Sequence, residues 1–347
     1  MATHESPLHG DVLPGVEPGH AAEDAGGGIV ARGFWGAAWR RFRRDRIAIA
    51  SGVAIILMIL VAFVGLPIAE HLSGRTPTTI NTNAVKNFGP LPFWSSAPSP
   101  SASPTNHSTW FYPLGTSDTA GHDEFLEMLA GAQVSLEVAI ISTIIGLGLG
   151  VFLGMVAGFY GGPLDTLVSR LTEIVMALPL LLFAIALSAT VGTRLNSYTF
   201  FGLFAPGVVN VTMVIAAFSW YYPCRIVRAQ VLSLREKEFV EAARMVGAGN
   251  RRILRSHLLP HLTGTIIVYG TLTVATNILF EAGLSILGVG IPAGQPSWGN
   301  LINEAVNYYL TIPLLMVWPG LAILFATLAF NLLGDGLRDA VDPRSIH

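Results

Sequence analysis

Charged residues are scarce in this chain: only 12% of its 347 residues are Asp, Glu, Lys or Arg. Soluble domains carry about a quarter. Hydrophobic residues make up 52% and the mean hydropathy is +0.56, which is more apolar sequence than a soluble core requires. The composition therefore indicates a membrane protein. The net charge of −2 gives no reason to expect a nucleic acid partner.

Cysteine is also nearly absent. Cys224 is the only one, which excludes an intrachain disulfide and a cysteine-based metal cluster. The chain has no G-x-x-x-x-G-K-S/T phosphate-binding loop, no H-E-x-x-H motif and no recognisable set of Ser, His and Asp. These absences predict a chain that is not an enzyme, with no catalytic residue, cofactor or metal of its own.

Six runs without any charge dominate the sequence. The first, Ile47–Leu66, follows an arginine-rich stretch and has about the 20 residues that an α-helix needs to cross the hydrocarbon. The other five are Val138–Tyr160, Ile174–Gly192, Leu195–Cys224, Leu262–Phe280 and Ala305–Gly334. Together they predict an all-α fold: a polytopic membrane protein with six transmembrane helices and both termini on one side.

The basic residues give the orientation. With six spans, all but three of the 20 Lys and Arg residues fall on the side of the termini, the three being Arg75, Lys86 and Arg194. Cytoplasmic segments of membrane proteins carry an excess of Lys and Arg. We therefore expect both termini in the cytoplasm, in a multi-pass protein of the bacterial cytoplasmic (inner) membrane.

Composition divides the chain into four parts. Residues 1–31 are rich in Gly, Pro, His and acidic residues and predict a disordered cytoplasmic tail. Residues 32–69 hold the basic segment and the first span. Residues 70–131 form an extracytoplasmic loop region, rich in Ser, Pro and Thr and helix-like from Asp123 onward. Residues 132–344 form a five-helix core, which includes a charged cytoplasmic loop at 230–262.

The cytoplasmic loop predicts a short helix at Glu236–Met245. Three residues share its apolar face: Phe239, Ala243 and Val246. Glu241 is spaced to form ion pairs with Lys237 and Arg244 on the same helix.

Gly247 suits the left-handed residue that ends a helix. A second short helix, Arg251 to Leu259, is predicted to stop at Pro260. The residues alone leave two interpretations of this loop open. It is either a part that docks into a partner's groove or a solvated basic linker.

Glycine recurs every four residues in the second span, at Gly146, Gly150, Gly154 and Gly158. A helix face without side chains lets another helix approach closely. That other helix could belong to this chain or to a second subunit.

Three residues within the spans are candidates for a pathway or gate. Pro179 and Pro319 predict kinks in the third and sixth spans, which either serve a moving gate or are static. Glu281 lies deep by sequence, where a charged side chain costs about 2.5–3.5 kcal/mol. It either lines the pathway or holds a gate, or it marks the outer end of the fifth span.

Several motifs carry a resemblance to a known family. Glu241-Ala-Ala-Arg-Met-Val-Gly247-Ala, followed by His257-Leu-Leu-Pro260, resembles the EAA motif of binding-protein-dependent ABC importer permeases. Glu281-Ala-Gly-Leu-Ser-Ile-Leu-Gly288 and Asn331-Leu-Leu-Gly-Asp335-Gly-Leu-Arg-Asp339 are similar to segments of the dipeptide/oligopeptide/nickel group. Within that group the chain looks like the C-type subunit.

The resemblance implies a type I importer permease fold and a coupling loop that sits in a cleft of a cytoplasmic ATPase. The implied coupling residues are Glu241, Ala242, Ala243, Gly247, His257 and Pro260. The implied partners are a related B-type permease in a heterodimer, two ATPase subunits that hold ATP and Mg, an extracytoplasmic substrate-binding protein and the lipid bilayer. The implied cargo is a peptide. Nickel or another small solute is the alternative within the family, and a self-sufficient secondary transporter is the alternative outside it.

Departures from the family pattern cluster in the outer region. The family commonly reads Leu-Gly-Thr-Asp-x-x-Gly-Arg-Asp before the second span, whereas this chain has Leu114-Gly-Thr-Ser-Asp118-Thr-Ala-Gly121-His122-Asp123. Gln133 replaces a second arginine shortly afterwards. Both changes lie on the face where a binding protein would dock, so the substrate and the fit to that partner stay open.

Overall fold

The computed structural model describes residues 34–86, 89–102, 108–195, 198–199 and 204–341. The tail predicted at residues 1–31 lies outside these ranges. The first helix is α1 (Phe34–Phe42), and α2 (Arg46–Leu60) follows it. Asp45 begins α2 because its carboxylate accepts hydrogen bonds from the backbone N–H groups of the first turn. A π-helical turn at Val61–Gly65 connects α2 to α3 (Leu66–Ser73).

A small region with two hairpins comes next, and its strands were not predicted from the sequence. We name it the outer region, after the side of the membrane on which it is predicted to lie. β1 (Val85–Lys86) pairs with β2 (Gly89–Pro90), and β3 (Ser95–Pro98) pairs with β4 (Thr109–Tyr112), both antiparallel. An ion pair of 2.7 Å between Arg75 and Asp123 ties this region to the membrane helices. Asp123 is also the N-cap of α4 (Glu124–Tyr160), which confirms the helix predicted to start there.

The remaining helices run in one series to the end of the described chain. They are α5 (Gly162–Ala177), α6 (Leu180–Leu195), α7 (Val208–Ser219), α8 (Tyr221–Leu234), α9 (Glu238–Met245), α10 (Asn250–Arg252), α11 (Leu259–Ile286), α12 (Trp298–Ala305) and α13 (Leu314–Val341). A π-helical turn, Ile253–Leu258, joins α10 to α11.

By length and composition, four helices of the described chain can cross a membrane. They are Arg46–Ser73, Glu124–Tyr160, Asn250–Ile286 and Leu314–Val341. The pair Gly162–Ala177 and Leu180–Thr190, which meet at an angle of 91°, raises the count to five if it is one broken span. The fourth predicted span differs most from expectation. Its apolar run contains α7, which has only 12 residues and continues through a helical Trp220 into the arginine-bearing α8.

The helices pack around α4. One buried cluster joins α4 to α2, α11 and α13 through residues such as Leu136, Ile278 and Ala326. Another cluster joins α4 to α6 and α7. A third joins α4 to α8, α9 and the start of α11. The loop between α8 and α11 is therefore attached to the body of the protein by side-chain packing.

Candidate functional site

The coupling loop, as we name residues 235–260, begins with α9 and a tight turn. The N–H of Gly247 donates to the carbonyl of Arg244 at 2.9 Å, and the N–H of Ala248 donates to the carbonyl of Ala243 at 2.9 Å. This pair of bonds is the Schellman arrangement that closes a helix with a left-handed residue. Gly247 has φ +86°, which confirms the sequence prediction. α9 thus ends at a fixed turn.

One side of α9 is buried. Val240 is fully buried, and Phe239 and Ala243 pack against the same cluster as Val231 and Ile253. The ring of Phe239 also lies 4.9 Å from the imidazole of His261, centroid to centroid. α9 is therefore held against both α8 and α11.

The opposite side of α9 is open. Glu241 and Ala242 are exposed, Met245 and Val246 are 83% and 90% exposed, and no atom lies within 4 Å of where a Cβ on Gly247 would stand. Placing Val246 on the apolar face was wrong, because the helix ends at Met245 and the chain turns away before Val246. The predicted ion pairs of Glu241 with Lys237 and Arg244 are not formed in the described structure. The Arg244 guanidinium lies instead 5.8 Å from the ring centroid of Phe159.

Pro260 does not stop a helix, and that prediction was wrong. The helix runs from Asn250 to Ile286. The π-helical turn that includes His257 comes just before the proline, and Leu259 N–H bonds to the carbonyl of Leu254, five residues back. A proline ring normally clashes with the carbonyl four residues earlier, and the wider π turn removes that clash.

The glycine stripe of α4 packs within this chain. A Cβ on Gly150 would lie 2.5 Å from the carbonyl oxygen of Trp220, and a Cβ on Gly154 would lie 2.5 Å from that of Cys224. A Cβ on Gly146 would lie 2.6 Å from the Cβ of Ser219, and a Cβ on Gly158 would lie 2.9 Å from the carbonyl oxygen of Arg228. The sequence left open whether this glycine face contacts a helix of this chain or of a second subunit. The structure supports contact within this chain, between α4 and α8.

The two prolines differ in their effect. Pro179 stands in the break between α5 and α6, where Leu178 is extended. Pro319 is buried inside α13, which continues through it. Only Pro179 therefore separates two helices.

A polar cavity, the α5–α8 cleft, lies beside the break. Its volume is about 610 Å³, and its lining residues are Val168, Ser169, Thr172, Glu173, Met176, Ala177, Cys224, Arg225 and Arg228. Sequence reasoning used Arg225 only for orientation. The charges on both sides of the cleft come from helices that are far apart in sequence, so only packing reveals them.

Glu281 is fully buried near the outer end of α11. The hydroxyls of Ser135 and Ser285 each donate to its carboxylate at 2.8 Å. Ser135 Oγ also accepts the N–H of Trp298 at 3.2 Å, at the start of α12. Glu281 therefore fastens α4, α11 and α12 together inside the chain.

In the outer segment that departs from the family pattern, Asp118 and His122 form a local ion pair. The Asp118 carboxylate accepts from the N–H groups of Ala120, Gly121 and His122, and its other oxygen lies 2.8 Å from His122 Nδ1. The hydrogen bond that the imidazole donates to Asp118 raises the pKa of His122. Burial alone would raise the pKa of Asp118, but the bonds to His122 outweigh it and the pKa is lowered.

The family is shown by direct comparison. Residues 150–347 match the model described as "Binding-protein-dependent transport system inner membrane component". Residues 33–90 match the "N-terminal TM domain of oligopeptide transport permease C".

Similar proteins agree with these matches. The chain is 35% identical over 310 residues to the glutathione transport system permease protein GsiD of Pectobacterium atrosepticum, covering 89% of this chain and 91% of that protein. It is 36% identical over 310 residues to the protein of that name from Escherichia coli O6:K15:H31, covering 89% and 90%.

A solved structure shares the fold. The inward-facing MetNI methionine ABC transporter superposes with a TM-score of 0.50 at 18% identity, covering 63% of this chain and 97% of that chain. The chain therefore belongs to the permeases of binding-protein-dependent ABC importers, as a C-type subunit of the dipeptide and oligopeptide group.

Proposed function

We propose that this chain forms half of the pathway of a heterodimeric peptide importer and that its coupling loop docks into a cytoplasmic ATPase. One observation carries the proposal. The buried Val240 holds one side of α9 against the body of the protein. On the other side, Glu241, Ala242 and Met245 are exposed. Exposed apolar side chains at the tip of a charged loop are typical of a surface that a partner covers.

The packing behind α9 gives the loop its mechanical role. The cluster around Val240 includes Met155 of α4, Val231 of α8 and Leu262 of α11. Close-packed side chains transmit displacement because they have little room to yield. A movement of the ATPase would therefore shift three membrane helices together, as rigid-body switching requires.

The wider assembly follows the family. A B-type permease would supply the other half of the pathway, and two ATPase subunits would hold ATP and Mg and carry out hydrolysis. A substrate-binding protein would dock on the outer region, with both termini of this chain in the cytoplasm. The cargo we propose is a peptide, since relatives at 35% and 36% identity are named for the transport of glutathione, itself a small peptide.

A bulky substitution at Gly247 tests whether the coupling loop docks into the ATPase. A tagged complex carrying Gly247→Trp is solubilised gently from native membranes, and the copurifying subunits are quantified by mass spectrometry. We expect the second permease to remain and the ATPases to fall by about 10-fold, which corresponds to roughly 1.4 kcal/mol of lost binding.

Two control variants distinguish the effect of the tryptophan volume at Gly247 from the effect of backbone strain at a positive φ. Gly247→Ala introduces a side chain at the same positive φ but adds little volume. Gly74→Trp places the same ring on a glycine of φ +65° that also has open space around it. Gly74 lies at the C-terminal end of α3, outside the coupling loop. Both should keep the ATPases. If Gly247→Trp keeps them as well, the docking surface lies elsewhere and the proposal for this loop fails.

A further inference from the structure

The backbone leaves the helical conformation between α5 and α6. Leu178 has φ −76° and ψ 134°, Pro179 carries no N–H, and the two helices meet at 91°. Within a membrane, non-helical backbone is tolerated only where it is buried in protein or lines a water-filled cavity. The α5–α8 cleft, lined by Met176 and Ala177 immediately before the break, provides such a cavity.

The α5–α8 cleft contains charges of both signs. Glu173 lines it from α5, and Arg225 and Arg228 line it from α8. No ion pair joins Glu173 to either arginine in the described structure; its partner is Arg170 at 2.7 Å, on an exposed face. The cleft therefore offers a carboxylate on one wall and guanidinium groups on the other.

The two arginines differ in what they already bind. Arg228 forms a two-pronged ion pair with Asp165, with Nη2 2.7 Å from Oδ2. Arg225 is exposed, and within the described residues its one polar contact joins Nη1 to the Sδ of Met176 at 3.0 Å. A thioether sulfur is a weak acceptor. Arg225 therefore has donors in the geometry that suits a carboxylate.

A hydroxyl completes the polar lining. Ser169 Oγ is buried and has no hydrogen-bond partner among the described residues. Buried polar groups in proteins are nearly always bonded, so such a group at a cavity wall is suited to a solute or a water molecule. The volume of about 610 Å³ lies within the range of small-molecule sites, roughly 300–1,000 Å³.

We propose that the α5–α8 cleft is a binding site on the peptide pathway, where Arg225 holds the terminal carboxylate of the cargo and Glu173 exchanges its partner Arg170 for the ammonium group of the cargo. A peptide in solution carries this pair of opposite charges, whereas a neutral sugar or a metal ion does not. The inference rests on the proposed function, because it supposes that peptides pass through this chain.

The test compares a peptide with its C-terminal amide. The complete importer is reconstituted in liposomes with its binding protein and ATP, and uptake is measured for a dipeptide with uncharged side chains, which has one carboxylate, and for its C-terminal amide. Arg225→Gln should lower the uptake of the free acid relative to the amide by roughly 10-fold or more, the size expected for a lost charge-assisted bond. Because the same binding protein serves every variant, its own preference cancels in the ratio of variant to wild type.

Two further variants make the result decisive. Arg225→Lys keeps the charge and should restore most of the acid uptake. Arg40→Gln removes an exposed arginine of α1 that does not line the cleft, and it should leave the uptake of both substrates unchanged. Equal slowing of acid and amide by Arg225→Gln, or equal loss in Arg225→Lys and Arg225→Gln, would overturn the carboxylate site. If wild-type complex hydrolyses ATP but takes up neither substrate, the proposed peptide cargo fails, and this site with it.

Discussion

His122 stands in the outer segment where related permeases commonly have arginine, and it keeps a charged contact there. Its imidazole is hydrogen-bonded to Asp118, and this bond is the largest cause that favours the protonated form of the imidazole. Arginine stays charged at all physiological pH values, whereas histidine titrates near neutrality. A histidine at this position therefore predicts a turn whose stability depends on pH.

The sign of that dependence follows from the pKa shifts. The pKa of His122 is raised above its usual 6.5, so the stabilisation from the pair is fully present below 6.5 and is lost as pH rises through the raised pKa. The pKa of Asp118 is lowered from 3.8, so its contribution is present above 3.8 and is lost only as pH falls through the lowered value.

We expect the amides of Gly121 and His122 to exchange faster at about pH 8 than at about pH 6, after correction for intrinsic rates. His122→Gln keeps a similar shape without a titrating group and should remove the difference. Amides of α9, which lie far from this turn in sequence and in the fold, serve as the internal reference. A wild-type protein with equal protection at both pH values would contradict the prediction.

At the scale of the helices, the contact between α4 and α8 is set by glycine. The recurrence of four glycines predicted a close approach, and the structure shows that α8 is the helix involved. Their backbones are close enough that a single methyl group would collide with the carbonyl oxygens of Trp220 and Cys224. Overpacking of this kind typically costs about 1–3 kcal/mol.

Gly150→Ala should therefore lower the thermal stability of the solubilised permease, by about 1–3 kcal/mol of unfolding free energy. Gly148→Ala is the matched control: it lies on the same helix, its Cβ would meet no atom within 4 Å, and alanine is the better helix former by up to about 1 kcal/mol. Thermal unfolding of both variants, followed by fluorescence or by loss of monodisperse protein, measures the difference. Equal stability of the two variants would mean that α8 can shift away at little cost.

The two ends predicted for helices in the coupling loop show when a local sequence pattern is enough to predict structure. Gly247 was predicted correctly because only a residue without a side chain easily adopts the positive φ of a helix-ending turn. Pro260 was predicted wrongly because the rule that proline ends helices assumes an α-helical turn before it. The π-helical turn at Ile253–Leu258 gives no signal in the sequence that we could recognise.

At the scale of the whole molecule, orientation in the membrane remains a prediction. It depends on the concentration of Lys and Arg in the segments beyond the spans. It places the outer hairpins and the coupling loop on opposite sides, which transport driven by a cytoplasmic ATPase requires.

Cysteine labelling tests the orientation. Thr78 of the outer region is exposed, and the side chain of Glu236 in the coupling loop is 74% exposed. In intact cells, a membrane-impermeant maleimide should label the Thr78→Cys variant and should label Glu236→Cys only after permeabilisation. The parent chain is the control, because its single thiol, Cys224, is buried. Labelling of Glu236→Cys in intact cells would reverse the topology.

The sequence by itself determined the membrane class, the helical fold and the family. The first two follow from the length of the apolar runs and the positions of charge, and the family follows from short motifs that resemble those of known permeases. All of these are local properties of the sequence. Tertiary structure decided the rest: the turn that exposes Val246, the 91° break at Pro179, the burial of Glu281 on two serines, and the meeting of Glu173 with Arg225 in one cleft. The burial of Glu281 and the lining of the cleft depend on contacts between segments distant in sequence, and the free energy of such contacts is fixed only when the helices pack. The turn before Val246 and the break at Pro179 are local, but their backbone angles could not be read from residue types alone.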